Sequence, residues 1–197
     1  MKRSVVIAGR PNVGKSTLFN RLLRRRHAIT DPTPGVTRDA IRATGEIGDR
    51  EVWLVDTGGV TREAGPFDEI VSRNARGEIE RGDVVVLLLD VTGLTAEDEE
   101  VIETCRRSGR PVVCAVNKVD NEKREQELWN FLALGFDRTV GISAAHGLGM
   151  DELEEAVLEL LAALDEEEVN GSEGAGEHPE ERVDTEIKIA VLGQPNT

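Results

Sequence analysis

The segment from Gly9 to Ser16, Gly-Arg-Pro-Asn-Val-Gly-Lys-Ser, constrains the fold of this chain more than any other feature. The apolar run 5–8 precedes it and is typical of a buried strand, whereas residues 17–23 after it carry apolar side chains at helical spacing. A strand, a glycine-rich loop and a helix in this order form a phosphate-binding loop, because the loop amides and the helix N-terminus point at the same anion. The sequence therefore predicts an α/β fold whose first βα connection binds phosphate groups.

Single positions of this loop have distinct expected roles. Lys15 is expected to reach the β- and γ-phosphates and to serve catalysis there, and the Ser16 hydroxyl is expected to bind Mg²⁺. The other loop residues predicted to contact the nucleotide are Gly9, Asn12, Val13, Gly14 and Thr17. The loop indicates a nucleoside triphosphate but does not identify its base.

The base is indicated by Asn117-Lys118-Val119-Asp120, which follows the apolar run 111–116. The Asp120 carboxylate can accept hydrogen bonds from both the ring N–H and the exocyclic amine of guanine, and adenine has no matching pair of donors. A site built on such bonds rejects the wrong base by about four orders of magnitude. Lys118 can lie across the purine face, and Asn117 can tie this segment to the phosphate loop.

A third segment, Ser143-Ala144-Ala145, follows the short apolar stretch 140–142. It suits a loop whose backbone N–H meets O6 of guanine. Together with the segment at 117–120, it predicts GTP and GDP as the ligands.

Two further segments are expected to act at the γ-phosphate. Asp56 closes the strand pattern 52–55 and is expected to hold Mg²⁺ through a water, while the N–H of Gly59 is expected to meet the γ-phosphate. Thr37 is the one hydroxyl between Gly35 and Asp39 and is expected to be a second Mg²⁺ ligand, although an ordinary loop threonine is the alternative. Both Thr37 and Gly59 are therefore candidates for a part in catalysis.

These motifs, in this order, resemble those of the translation-factor-like small GTPases over residues 2–164. The stretches Gly-Arg-Pro-Asn-Val-Gly-Lys-Ser-Thr, Gly-Val-Thr-Arg-Asp and Asp-Thr-Gly-Gly together resemble the first G domain of the Der (EngA) family. That family has two tandem G domains and a KH-like domain. Residues 189–197 repeat the pattern of 5–13, so we expect a fragment whose second G domain and KH-like domain lie outside this chain.

The resemblance implies a GTPase that acts as a nucleotide-dependent switch in assembly of the large ribosomal subunit. That subunit and its rRNA are the partners that the resemblance implies. Val60 stands where many small GTPases carry a glutamine that orients the attacking water, and valine has no hydrogen-bonding group. In related GTPases, an asparagine at the position of Asn12 helps to hold K⁺ in the role of an arginine finger, which implies K⁺-stimulated hydrolysis here. A GTP-binding regulatory module with little intrinsic hydrolysis remains the alternative.

Three segments are expected along the chain: a G domain over 1–164, an acidic flexible linker over 165–185, and the truncated start of a second G domain over 186–197. The formal net charge is −14, and much of the excess acid lies in the linker, so a general nucleic-acid binder is not expected. No signal peptide or membrane-spanning run is present in the sequence, and we expect a cytoplasmic monomer.

Alternating apolar patterns predict strands near 3–8, 40–47, 50–56, 83–90, 111–117 and 138–142, and helices near 15–25, 67–81, 95–108, 122–133 and 149–164. Residues 84–89 are apolar on both faces, as in a central parallel strand. The short turn before residue 50 predicts that the second and third strands pair antiparallel. The expected fold is a P-loop G domain with a mixed, mostly parallel six-stranded sheet and helices on both faces.

Several other side chains carry expectations of their own. The cluster Arg21, Arg24, Arg25 and Arg26 is expected either to complement a helix dipole or to contact rRNA. Cys105 and Cys114 are expected to be buried, reduced thiols. Trp53 and Trp129 are expected to be packing residues rather than ligand contacts.

Overall fold

The computed structural model describes residues 2–24, 41–58 and 68–173, with the backbone alone for 24, 68–73 and 171–173. The strands are β1 (Ser4–Ala8), β2 (Ile41–Ile47), β3 (Arg50–Asp56), β4 (Val84–Asp90), β5 (Val112–Asn117) and β6 (Arg138–Gly141). The helices are α1 (Lys15–Arg24), α2 (Asp68–Arg81), α3 (Ala96–Ser108), α4 (Glu122–Glu127), α5 (Trp129–Leu132) and α6 (Met150–Glu173).

The six strands form one sheet in the order β2-β3-β1-β4-β5-β6. The β2–β3 pair is antiparallel, and every other neighbouring pair is parallel. The hairpin between β2 and β3 turns at Gly48, whose φ of 56° lies in the left-handed region that favours glycine. The predicted mixed, mostly parallel sheet is confirmed.

Apolar residues form a core on each face of this sheet. On one face, α1 and α6 pack through residues such as Leu18, Leu22 and Leu153. On the other face, α2 and α3 pack through Ile79 and Ile102. All seven residues of β4 are buried, because helices cover both of its faces. Helices on both faces are therefore confirmed.

The single helix predicted near 122–133 is interrupted. Leu128 separates α4 from α5, and its N–H donates to Glu125 O at 3.2 Å, a tight turn rather than a continuous α-helix. Within α5, Phe131 is 3% exposed, whereas Trp129 is 75% exposed. The prediction that Trp129 is a packing residue is therefore wrong. Trp53 is 40% exposed, and the Lys2 ammonium lies 4.5 Å from its ring centroid.

The last helix also runs further than predicted. α6 continues to Glu173, so residues 165–173 of the expected flexible linker are helical. Asp165 pairs with both Arg3 and Arg50, at 3.0 and 2.6 Å, and Glu168 pairs with Arg3 at 2.7 Å. These ion pairs join the helix to the amino-terminal edge of the sheet, so its acidic residues have structural partners there. Residues 174–197 lie outside the described part of the chain.

Asp83 fastens the start of β1 to the start of β4. Its Oδ2 accepts hydrogen bonds from the N–H and hydroxyl of Ser4, both at 2.7 Å, and Arg3 lies 3.2 Å from Oδ1. Burial alone would raise the pKa of Asp83, but the bonds from Ser4 and Arg3 outweigh it and hold the pKa below its ordinary 3.8.

Cys105 and Cys114 are buried and form no disulfide, as expected. In the ranges that the structure describes, no helix is long and apolar enough to cross a bilayer.

Candidate nucleotide site

Four loops that carry predicted ligand residues leave the sheet at one edge. They follow β1, β3, β5 and β6, which all run in the same direction. The carboxyl ends of these strands therefore meet at the same edge, which is where open α/β sheets bind ligands.

The loop after β1 wraps closely against the interior. A Cβ on Gly9 would lie 2.5 Å from the carbonyl oxygen of Leu88, so any larger residue would push the loop away from β4. Asn12 is exposed, has a φ of 60°, and makes no side-chain hydrogen bond within the described residues. Val13 is buried, and Thr17 is exposed at the start of α1.

Lys15 lies inside this loop and is 7% exposed. Its Nζ donates to the carbonyl oxygens of Gly9 and Arg10, at 2.8 and 2.7 Å. Burial lowers the pKa of the Lys15 ammonium below its ordinary 10.5, and the carboxylate of Asp56 opposes this shift only in part. A phosphate chain could therefore compensate a buried positive charge that the protein leaves incompletely neutralised.

Ser16 and Asp56 come together beside this lysine. The Ser16 hydroxyl donates to Asp56 Oδ2 at 2.8 Å, and the N–H of Gly58 donates to Asp56 Oδ1 at 2.8 Å. A hydroxyl and a fully buried carboxylate in contact are hard oxygen ligands of the type that Mg²⁺ prefers. The residues that the sequence predicts for Mg²⁺ on these two elements fit that ion.

Asn117, at the end of β5, links the loops at the two ends of the site. Its Nδ2 donates to Val13 O at 2.8 Å, and its Oδ1 accepts from the N–H of Ala144 at 3.0 Å. The side chain is 4% exposed, so these bonds are sheltered from water. The structure thus contains the tie between the segment at 117–120 and the phosphate loop that the sequence predicts.

Lys118 has a φ of 70°, and its ammonium reaches Asp90 Oδ2 at 2.5 Å. Arg10 of the phosphate loop lies 3.6 Å from the same oxygen. Burial would raise the pKa of Asp90, but the bonds from Lys118 and Thr92 outweigh it and hold the pKa below its ordinary 3.8. The Asp90 carboxylate therefore stays charged at neutral pH and holds both cations.

Asp120 is exposed and is oriented by its neighbours. Its Oδ2 accepts from Arg124 at 2.8 Å, and its Oδ1 accepts from the side-chain amide of Asn121 at 2.7 Å. Arg124 also donates to the carbonyl oxygen of Lys118 at 3.0 Å, which joins the segment at 117–120 to α4. The carboxylate is thus held at the edge of the site where the sequence places base recognition.

The loop after β6 is a compact turn. The N–H of Ser143 donates to Leu148 O at 2.9 Å, and the N–H of Gly147 donates to Ser143 O at 2.6 Å. Arg21 of α1 donates from Nε to Ala144 O and from Nη2 to Ala145 O. The phosphate-loop helix is therefore bonded directly to this loop.

Sequence reasoning missed four of these polar contacts, those of Arg10, Asp90, Arg21 and Arg124. Asp90 was detectable, because it follows the apolar strand 84–89 in the way that Asp56 follows 52–55. The predicted site residues Thr37 and Gly59, together with Val60, lie outside the described residues.

The comparisons agree with this geometry. The sequence pattern of a protein family described as 50S ribosome-binding GTPase matches residues 4–118. The chain belongs to this family. That stretch contains the phosphate loop and Asp56 and ends one residue after Asn117.

Curated relatives of this family member extend the match to the whole chain. It is 46% identical to GTPase Der of Symbiobacterium thermophilum over 199 aligned residues, covering 100% of this chain and 40% of that protein. It is 40% identical to GTPase Der of Bacillus cytotoxicus, covering 99% of this chain and 42% of that protein. The resemblance to the Der family is confirmed, and the chain spans about two fifths of the length of these relatives.

Solved structures of other GTPases share the fold. Era of Aquifex aeolicus, as a variant bound to GDP and AlF4⁻, has a TM-score of 0.65 at 31% identity, over 81% of this chain and 57% of that one. An Era complex with MgGDPNP and a segment of 16S ribosomal RNA has a TM-score of 0.64 at 30% identity, with the same coverage. The FeoB G domain of Methanococcus jannaschii has a TM-score of 0.58 at 28% identity, over 82% of this chain and 99% of that one.

Proposed function

We propose that this chain binds GTP and hydrolyses it to GDP and phosphate, and that the whole protein uses this reaction as a switch in assembly of the large ribosomal subunit. One observation carries the proposal. The buried side chain of Asn117 joins the loop after β1 to the loop at 143–145, so the loops that we propose for the phosphates and for the base are fixed relative to each other.

The phosphate end of the site supports hydrolysis by charge stabilisation. Lys15 would leave the carbonyl oxygens of Gly9 and Arg10 and bind the β- and γ-phosphates. Ser16 and Asp56 would hold Mg²⁺, which supplies further neutralisation of the phosphate charge when it is bound. The attacking oxygen comes from water, the bond between the β–γ bridging oxygen and the γ-phosphorus breaks, and GDP leaves with the bridging oxygen.

The sequence places no glutamine at the position of Val60, so another positive charge or polar group has to assist the reaction. Asn12 is an exposed residue of the phosphate loop, and no described protein group bonds to its side-chain amide. We propose that Asn12 and loop carbonyl oxygens hold K⁺ there. A cationic finger at this point can raise the rate by about 10³–10⁵.

Val60 also favours a second candidate, a GTP-binding regulatory module with little hydrolysis of its own. In that case nucleotide exchange rather than turnover would control the rest of the protein. The two candidates share the binding site and differ in whether phosphate is released by this chain alone.

The ribosomal partner is proposed from the comparisons. The matching family is described as 50S ribosome-binding, and an Era relative has been solved with 16S ribosomal RNA. The family description supports the large subunit and its rRNA as the partners that we propose for the whole protein. The Era complex contains RNA of the small subunit, so it supports only contact between a GTPase of this fold and ribosomal RNA.

The test is GTP turnover by this chain with Mg²⁺, measured as phosphate release in K⁺ and in Na⁺ at equal ionic strength. We expect K⁺ to stimulate wild type at least tenfold, and Asn12→Ala to lose that stimulation while its GDP affinity changes less than threefold. The matched control is Asn20→Ala, since Asn20 is exposed on α1 and should leave the K⁺ effect intact.

Equal K⁺ stimulation in Asn12→Ala and wild type would refute the role of Asn12. Tight GTP binding without turnover in either salt would favour the regulatory module. Absence of guanine-nucleotide binding would refute both candidates.

A further inference from the structure

Arg21 connects the helix after the phosphate loop to the loop at 143–145. Its Nε donates to Ala144 O, and its Nη2 donates to Ala145 O at 2.6 Å. These two carbonyl groups are consecutive, so the planar guanidinium fixes the orientation of two successive peptide units. The sequence predicts only a helix-dipole or rRNA role for this arginine.

The loop leaves a space that fits this guanidinium. Gly147 has a φ of 79°, and a Cβ built on it would lie 2.5 Å from Arg21 Nη1. A glycine is therefore needed at 147 both for the turn and for the approach of the arginine.

The backbone N–H groups of this loop are not equivalent. The N–H of Ala144 is already bonded to Asn117 Oδ1, whereas the N–H of Ala145 has no partner among the described residues. Ala145 is exposed, so its N–H is available to a ligand at the mouth of the site.

The Ala144 carbonyl and the Ala145 N–H belong to one peptide group. A charged donor on the carbonyl oxygen polarises that group and makes its N–H a stronger donor, because hydrogen bonds in series reinforce one another. Arg21 can therefore act on a ligand that it does not touch.

We propose that Arg21 is a positioning residue for guanine recognition: it orients and polarises the Ala144–Ala145 peptide so that the Ala145 N–H donates to O6 of the base. This inference rests on the proposed function, since it specifies how the same site selects guanine. In this proposal, the Asp120 carboxylate accepts hydrogen bonds from the ring N–H and the amine of guanine. Arg21 supports the separate hydrogen bond from the Ala145 N–H to O6 of guanine.

The test is equilibrium binding of GDP, IDP and 6-thio-GDP at neutral pH. IDP keeps O6 and lacks the 2-amine, whereas 6-thio-GDP keeps both donors and replaces O6 by the weaker acceptor sulfur. For Arg21→Gln we expect about a tenfold loss of affinity for GDP and IDP, the size of a bond to a charged group, and less than a threefold loss for 6-thio-GDP. The GDP/IDP ratio should stay unchanged.

A second variant protects this test against simple misfolding. Gly147→Ala keeps Arg21 but places a methyl group against its Nη1, so it should reduce the preference for GDP over 6-thio-GDP in the same way. Arg81→Gln is the matched control for loss of charge, because the Arg81 side chain is 73% exposed at the end of α2. It should bind all three nucleotides like wild type.

The proposal is overturned if Arg21→Gln lowers the affinity for all three nucleotides by the same factor, or for none of them. If wild type binds GDP and only the selectivity change is missing, the role of Arg21 is refuted and guanine-nucleotide binding stands. If wild type binds none of the three, the proposed function itself is refuted.

Discussion

Replacing Asn117 by alanine tests the link on which the proposed function depends. The side chain is 4% exposed and makes two bonds, to Val13 O at 2.8 Å and from the Ala144 N–H at 3.0 Å. Both backbone partners belong to residues that are fully buried, so water cannot easily replace the lost amide. Asn117→Ala should therefore leave two buried polar groups without partners.

The expected size follows from these two groups. An orphaned buried donor or acceptor costs about 1–3 kcal/mol, so Asn117→Ala should lower the free energy of unfolding by about 2–6 kcal/mol. Urea unfolding without nucleotide measures this loss as a shift of the midpoint at constant slope. GDP affinity should fall as well, because the phosphate loop and the loop at 143–145 lose their common anchor.

Asn130→Ala is the matched control for this experiment. Asn130 is exposed, and among the described residues its side-chain amide bonds only to Glu127, at 2.9 Å. Its replacement should change the free energy of unfolding by less than about 0.5 kcal/mol. A loss of less than about 1 kcal/mol in Asn117→Ala would refute the prediction, because two orphaned buried groups cost more than that.

Three further predictions test the electrostatics and packing. Asp83→Asn should cost about 1–2 kcal/mol at neutral pH, because a charged acceptor becomes a neutral one. The native pKa of Asp83 lies below 3.8, so the difference in free energy of unfolding between Asp83→Asn and wild type should be full above pH 3.8. It should vanish as the pH falls through the native pKa, and urea unfolding at several pH values measures it. Burial raises the pKa of Cys105 and of Cys114 to about 12, so neither thiol should react with an alkylating reagent at mildly alkaline pH until the protein unfolds, as mass spectrometry would show. Trp129→Ser should change the free energy of unfolding by less than about 0.5 kcal/mol, whereas Phe131→Ala should lower it by about 3–5 kcal/mol, because Trp129 is exposed and Phe131 is buried. Denaturant unfolding measures both, and equal losses in the two variants would contradict this explanation.

The sequence predicts the sheet well because its signals are local. β4 is uniformly apolar and central, and the strand ends at Asp56 and Asn117 coincide with the predicted boundaries. Each of these motifs needs only its own strand and turn to be recognised. For the same reason, the placement of these loops at one edge of the sheet follows once the strands are parallel.

The differences arise where a distant partner decides the structure. The sequence predicts that Asp165 and Glu168 belong to a flexible acidic linker. In the structure Arg3 pairs with both and Arg50 pairs with Asp165, and α6 continues through them. The role of Arg21 depends on a loop 123 residues away, which helical spacing cannot reveal.

The two ends of the proposed site differ in whether a ligand would have to replace hydrogen bonds within the protein. At the proposed base end, Asn117 and Arg21 already hold the loop at 143–145, so the Ala145 N–H can donate to a base oxygen without breaking a protein bond in that loop. At the proposed phosphate end, Lys15 bonds to loop carbonyl oxygens and Ser16 bonds to Asp56, and the phosphate and metal of the proposed function would have to replace these contacts. The base end should therefore select the base through a loop that is already in place. At the phosphate end, the hydrogen bonds of Lys15 and Ser16 should differ with the nucleotide that is bound.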